Sequence, residues 1–224
     1  MPKVKVPRKS TPIDMTAMCD VAFLLLSFFI LTTKFKPSEA LAVVTPNSVS
    51  SKVAPEKDAV LITIDKTGKV YFSVSDANTS EKQAIIEEIS KSKNLGLGPN
   101  EIKGFVRSSS YVGVPFQQLK QYLGYNADEV KKVNQPGIPV LDSTNNQLID
   151  WVRAAVSAFQ GTKMELLVKG DNDSKYPAFQ SVINAFKKNE QFKFQMITNP
   201  ENVPTGTDLY KINMAHRPGE AGTE

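Results

Sequence analysis

A single carboxyl group stands inside the most apolar stretch of this 224-residue chain. Residues 16–33 read TAMCDVAFLLLSFFILTT, and Asp20 is the only charged residue among them. An ionised carboxylate that faces lipid costs on the order of 3 kcal/mol, so in a membrane Asp20 should face protein or a water-filled path. Protonation removes most of this cost, because a neutral group is easier to take out of water. The residue and its setting therefore indicate a group that binds and releases protons.

The other polar residues inside this stretch share a helical face with Asp20. At about 100° per residue, Thr16 and Ser27 fall within roughly 40° of Asp20, whereas Thr32 and Thr33 point away. A single helix cannot enclose a proton path, so this polar stripe predicts a partner in the membrane that supplies the other wall. An alternative stays open, in which headgroups solvate Asp20 near the interface and Ser27 bonds to its own helix backbone.

The flanking residues favour a retained transmembrane helix over residues 12–33. Lys34 and Lys36 mark the far interface. A cleaved secretory signal is the main alternative, because residues 40–42 (Ala-Leu-Ala) imitate a small-residue cleavage site, and a buried soluble helix is the third. Asp20 lies within the apolar run and the two lysines separate that run from the cleavage site, which counts against a signal peptide.

The excess of positive charge lies before the helix. The formal net charge is +4, and residues 1–11 hold four basic residues and no acidic one. This basic arm predicts a cytoplasmic N-terminus and places residues 37–224 on the other side of the membrane. The remainder is close to neutral and shows no basic stripe with interleaved aromatics, so nucleic-acid binding is not expected.

The residue content argues against an enzyme. His216 is the only histidine and lies in a polar tail, so neither a His-dependent triad nor a His-based metal site can be built. Residues 170–173 (GDND) superficially resemble a calcium loop, but the later glycine and glutamate are missing and we interpret them as a turn. The glycine pattern that cradles phosphates is absent. We therefore expect no metal and no cofactor.

The stretch IDMTAMCDVAFLLLSFFILTT resembles the start of the membrane span in ExbD and TolR proteins. That span opens with a pattern similar to I-N-V-T-P-F-I-D. Ile13, Thr16 and Asp20 match the pattern in register, while Asp14 and Ala17 replace the usual asparagine and proline.

Two further segments resemble the same family. Val44, Thr45 and Pro46 are similar to the V-x-L-P element that follows the span, with Thr45 in place of leucine. Residues 165–198 are similar to a unit of strand, Asp-containing loop, Tyr, helix and strand near the end of the family's domain. Residues 97–161 have no counterpart in this comparison and are interpreted as an insertion.

The resemblance implies a single-pass subunit of the cell inner membrane with a periplasmic domain. Its implied partners are an ExbB-like or TolQ-like channel subunit, a TonB-like or TolA-like force transducer, and a second copy of the chain inside a larger ring. Asp20 is implied as the proton carrier, and Val44, Thr45 and Pro46 as a contact with a partner or the channel mouth. An ExbD-like role in TonB-dependent transport is favoured. A TolR-like role in envelope maintenance, and a secreted or anchored binding module without a proton role, are the alternatives.

Beyond the span, the sequence predicts a linker and then an α+β domain. Residues 34–58 contain three prolines and several serines, which is typical of an extended linker. Within them, residues 42–48 could instead pack as an ordered strand. An α+β domain on a mixed sheet, with a helical insertion, is predicted over residues 59–198.

Hydrophobic periodicity and turn signals predict the elements of this domain. Trp151 is interpreted as a core anchor, and residues 199–224 as a tail in which TDLYKINMA (207–215) alternates enough for an edge strand. The other predicted elements are a hairpin over 60–74, a helix from a Ser80-x-x-Gln83 capping box to Ser92, a strand over 102–107, helices over 116–123 and 145–159, and a βαβ-like unit of strand 164–169, helix 177–188 and strand 192–198.

Overall fold

The computed structural model describes residues 15–32, 41, 43–49, 53–107, 111–130, 133–141, 145–208 and 210–211, with the backbone alone at 127–128. The chain divides into two compact units, residues 1–38 and 39–224. The first holds one helix and the second an α+β domain. In chain order the elements are α1 (Met15–Thr32), β1 (Asn47–Ser48), β2 (Ala59–Ile64), β3 (Val70–Val74), α2 (Thr79–Ser92), α3 (Pro99–Arg107), α4 (Phe116–Leu123), α5 (Ala127–Val130), α6 (Leu148–Ala158), β4 (Glu165–Gly170), α7 (Tyr176–Lys188), β5 (Gln195–Met196) and β6 (Asn199–Pro200).

Helix α1 is continuous over 18 residues, about 27 Å at 1.5 Å per residue. Its mean hydropathy is 2.0, and within the described ranges it is the one helix long and apolar enough to cross a membrane. Residues 12–14 and 33 of the predicted span lie outside the described residues.

The main sheet of the second unit has four strands in the order β3-β2-β4-β5. Strands β2 and β3 form the predicted antiparallel hairpin, while β4 pairs in parallel with both β2 and β5. The sheet is therefore mixed, and the predicted α+β domain is confirmed. The βαβ-like unit is present as β4, α7 and β5, although its second strand is shorter than the predicted 192–198.

The hairpin follows directly from its local sequence. Val60, Ile62 and Ile64 are fully buried. At the turn, the Asp65 carboxylate accepts hydrogen bonds from the backbone N–H groups of Thr67 and Lys69, at 2.8 and 2.9 Å. Gly68 adopts a φ of 84°, a left-handed conformation that an L side chain disfavours. The alternating apolar residues and the turn-forming residues thus both favour a β-hairpin.

The core is organised around the indole of Trp151, which is fully buried as predicted. Its ring lies 4.9 Å from that of Phe72 on β3 and 5.9 Å from those of Phe105 and Phe116, measured between centroids. Three of these four rings come from residues 97–161. The predicted insertion is therefore part of the core rather than an appendage to it.

The same region also covers the outer edge of β3. Phe72 and Val112 exchange two backbone hydrogen bonds at 2.8 and 2.7 Å, and Ile138 N–H donates to the Val70 carbonyl at 2.8 Å. An uncovered strand edge invites pairing with other chains. Residues 111–114 and 137–139 remove that hazard on this side of the sheet.

The predicted strand over residues 102–107 is wrong, because these residues belong to helix α3. Ile102, Phe105 and Val106 have helical rather than alternating spacing, and Phe105 is the buried one. Close packing explains Gly104, since an added Cβ would lie 2.8 Å from the Leu123 carbonyl oxygen.

The predicted capping box at Ser80 is also wrong, because α2 begins at Thr79 after Asn78. Asn78 is held in place by Asp58, whose N–H donates to the Asn78 side-chain oxygen at 2.8 Å. The Gln83 amide donates to Glu87 instead of reaching back to the helix start. A contact 20 residues away in sequence therefore sets where this helix begins.

Two further predictions differ from the structure. Helix α6 begins at Leu148 rather than 145, because the Asn146 side chain accepts the Leu148 N–H from outside the helix at 3.1 Å. In the tail, residues 208, 210 and 211 are helical and not part of the predicted strand, and Lys211 N–H donates to the Thr207 carbonyl at 3.2 Å. Residues 209 and 212–215 of that prediction lie outside the described residues.

The aromatic core supplies a stability prediction. Phe72→Ala should lower the free energy of unfolding by about 3–5 kcal/mol, since it leaves a cavity against Trp151. Denaturant unfolding followed by Trp151 fluorescence measures this, because the chain has one tryptophan. Phe192→Ala is the matched control: Phe192 is 71% exposed and should cost less than about 0.5 kcal/mol. Equal losses in the two variants would contradict the assignment of the core.

Candidate functional site

The first part of the candidate site is the polar stripe of α1. The helix runs without interruption from residue 15 to 32, so its periodicity places Thr16, Asp20 and Ser27 on one face. Asp20 is exposed, and none of the α1 side chains is buried. The carboxyl group therefore lies at the surface of this helix.

The hydroxyl of Ser27 is already engaged. Its Oγ donates to the Leu24 carbonyl at 3.0 Å, and Thr32 Oγ1 donates to the Phe28 carbonyl at 2.7 Å. A serine hydroxyl has one hydrogen to donate but two acceptor lone pairs. In this conformation the Ser27 hydroxyl cannot donate to a second group. It can only accept a hydrogen bond, for example from water or from a protonated acid.

The second part is a strap, residues 43–49, that lies against the α+β domain. Val44 N–H donates to Asp171 Oδ2 at 3.0 Å, and the Val44 carbonyl accepts from Asn172 N–H at 2.8 Å. The predicted linker is thus folded here, and the alternative of an ordered strand agrees with the structure. Residues 34–40, 42 and 50–52 lie outside the described residues.

The strap forms a second, two-stranded sheet with β6. Strand β1 pairs in parallel with β6, through hydrogen bonds from Asn199 N–H to the Pro46 carbonyl and from Glu201 N–H to the Ser48 carbonyl, both 2.9 Å. The segment that holds β5 and β6 therefore pairs first with β4 and then with the strap. This arrangement joins two parts of the chain about 150 residues apart.

Within the strap, Thr45 is buried and Val44 is 68% exposed. Thr45 Oγ1 donates to Asn199 Oδ1 at 2.8 Å, and Asn199 Nδ2 donates to the Thr45 carbonyl at 3.0 Å. This paired contact explains a polar residue at a position where the resembled element has leucine. Of the predicted contact residues, Val44 presents its side chain outward, while Thr45 is occupied by the domain itself.

The GDND segment acts as the anchor of the strap. Asp171 accepts backbone N–H groups from Asp173 at 3.0 Å and from Val44, and these two hydrogen bonds hold the pKa of its carboxyl below the usual range. The segment is a turn, as predicted. Within the described part of the chain, no group of three His, Cys, Asp or Glu side chains could hold a metal ion.

The sequence did not reveal Asp171 and Asn199 as hydrogen-bond partners of the strap. Both residues occur in turn-forming sequences, Gly-Asp-Asn-Asp and Asn-Pro, whose local chemistry accounts for them without a distant contact. Their partners lie 127 and 154 residues away. These contacts can be predicted only if it is known which loops lie next to each other in the fold. His216 lies outside the described residues.

The anchor gives a prediction for strap attachment. Asp171→Ala should speed amide exchange at Val44, Asn199 and Glu201 by roughly tenfold, the effect expected for loss of a charge-assisted hydrogen bond. Exchange mass spectrometry at neutral pH measures it. Asp173→Ala is the matched control, because its side chain is exposed.

The strap should also depend on pH in the native chain. Because the folded-state pKa of Asp171 is lowered, its stabilising contribution is complete above the ordinary carboxyl value of about 4. The contribution is lost as the pH falls through the lower folded value. Exchange of the strap amides, corrected for the intrinsic pH dependence, should increase in that acidic range in the native chain and change little in Asp171→Ala. An identical pH response of the two proteins would contradict the role of Asp171.

A family described as "Biopolymer transport protein ExbD/TolR" matches residues 7–201, which include the apolar helix, the strap and the main sheet. The match also runs across residues 97–161, for which the sequence comparison above found no counterpart. No curated protein and no solved structure matches the chain. With a family match over nearly its whole length, the chain belongs to the ExbD/TolR family.

Proposed function

We propose that the chain is an ExbD-like subunit of a proton-driven motor in the inner membrane, which energises TonB-dependent transport across the outer membrane. Membership of the ExbD/TolR family supports a role in biopolymer transport. The observation that carries the proton role is a single carboxyl, Asp20, on a helix otherwise apolar enough to cross a membrane. No other described residue combines an acid with that environment.

Asp20 carries protons at the interface with an ExbB-like channel subunit. The channel supplies the second wall of the path, and Thr16 and Ser27 complete the polar stripe on this side. Protonation allows the carboxyl to face a less polar environment, and ionisation returns it to water or to a counter-charge. One charge that crosses 100 mV releases about 2.3 kcal/mol, which is sufficient to change the packing of a helix inside a ring.

The basic arm keeps the N-terminus in the cytoplasm, and the α+β domain lies in the periplasm. Two copies of the chain act together inside the ring, and the domain passes force to a TonB-like protein. Between α1 and the strap there are ten residues, 33–42, whose extended length is at most about 35 Å. The exposed Val44 side chain is the part of the strap available to a partner.

The first test replaces the carboxyl without changing its size. Asp20→Asn should reduce energised uptake to the level of cells that lack the protein, because an amide cannot bind and release a proton in this range. Cys19→Ser, one residue away and without a carboxyl in either form, is the control and should retain uptake. Uptake by Asp20→Asn at normal protein levels would refute the proton role.

The same variant separates the two branches of the family. In an ExbD-like subunit, Asp20→Asn abolishes uptake through TonB-dependent receptors and leaves resistance to detergent intact. In a TolR-like subunit for envelope maintenance, the pattern is reversed. Both readouts are measured in one strain, with protein levels checked by immunoblot.

The length of the mature chain tests the remaining alternative. We expect the intact mass of the membrane-bound protein to include α1. Cleavage after Ala42 would remove Asp20, and would support a secreted or anchored binding module instead.

A further inference from the structure

A groove of about 350 Å³ lies between α2 and α3, and none of its lining residues belongs to the site described above. Ile102 and Val106, one turn apart on α3, contribute apolar side chains to it, and both are half-buried. Gln83 and Glu87, one turn apart on α2, contribute the opposite side. The groove is thus lined at helical spacing by two neighbouring helices.

The two sides of the groove carry opposite charge. Lys103 and Arg107 line it from α3 and are both exposed, and within the described part of the chain neither takes part in an ion pair. Like charges four residues apart destabilise a helix, so an outside acidic group placed between them would be attracted by both. On the α2 side, the Glu87 carboxylate accepts the Gln83 amide at 2.8 Å.

The shape of the groove favours one type of occupant. A strand that binds by backbone pairing needs a free sheet edge, and this groove is lined by helix side chains. Rows of side chains at spacings of three and four residues accept the matching ridges of another helix. Helix α3 has nine residues, about 13 Å in length, which suits two to three turns of a partner.

We propose that the α2–α3 groove binds an amphipathic helix of a partner protein. The partner helix places apolar residues on Ile102 and Val106, an acidic flank against Lys103 and Arg107, and a basic or polar flank against Glu87. This interaction is separate from the proton role of Asp20, and either proposal can fail without the other.

Photo-crosslinking in the full-length, membrane-inserted protein tests the groove. A benzoylphenylalanine residue is introduced at Val106 or, to avoid disturbing a half-buried position, at exposed Gln83. The control position is Gln118, on the exposed face of α4. We expect an adduct from both groove positions and none from Gln118, with the crosslinked peptide mapped by mass spectrometry to an amphipathic helix that bears acidic residues.

Charge reversal supplies the second arm. Lys103→Glu combined with Arg107→Glu should reduce the adduct from Gln83 by about fivefold or more, because two attractive contacts become repulsive. Lys187→Glu combined with Lys188→Glu changes the net charge equally on exposed positions of α7 and should leave the adduct unchanged. Lys103→Gln with Arg107→Gln gives an intermediate loss with less risk to folding.

Several outcomes would overturn the proposal. These are the absence of an adduct from both groove positions, an adduct that maps to a second copy of this chain or to an extended loop, and a yield that does not respond to charge at Lys103 and Arg107. Because Asp20→Asn leaves the groove residues unchanged, uptake by that variant tests the proton role separately from the adduct yield.

Discussion

A carboxyl group on a membrane helix is stable only where something other than lipid faces it, or where it has taken up a proton. Asp20 places this constraint on the whole chain. One helix of 18 residues cannot satisfy it, so the protein has to act within an assembly. In the proposed function, the basic arm orients the helix and the folded domain acts outside the membrane.

The strap, residues 43–49, is the part of the chain between α1 and β2 that is hydrogen-bonded to the folded domain. Its backbone is held by Asp171 at one end and by the β1–β6 pairing at the other, and Thr45 and Asn199 exchange hydrogen bonds between them. These contacts are mostly polar, with one carboxylate as the anchor. We expect a polar attachment of this kind to respond to pH and to substitution more readily than the apolar core does.

The region from residue 97 to 161 has two roles in the domain. It covers the outer edge of β3 through Val112 and Ile138, and it supplies Trp151 and two of the three rings packed around it. Its helix α3 also forms one side of the charged groove. A segment that appears additional in sequence therefore forms part of the core.

Local patterns alone determined the apolar helix with its single acid, the β2–β3 hairpin, helix α4 and the β4–α7–β5 unit. In each of these elements the hydrophobic periodicity and the turn residues favour the same secondary structure over a short stretch. The type of element can therefore be predicted from neighbouring residues alone. The helix over residues 102–107 also follows from local spacing, that of Ile102, Phe105 and Val106, although it was predicted as a strand. Tertiary structure decided the start of α2 and the docking of the strap. The strap depends on hydrogen bonds between residues 127 and 154 positions apart. No local periodicity encodes such pairings, because they exist only once the sheet has brought distant loops together.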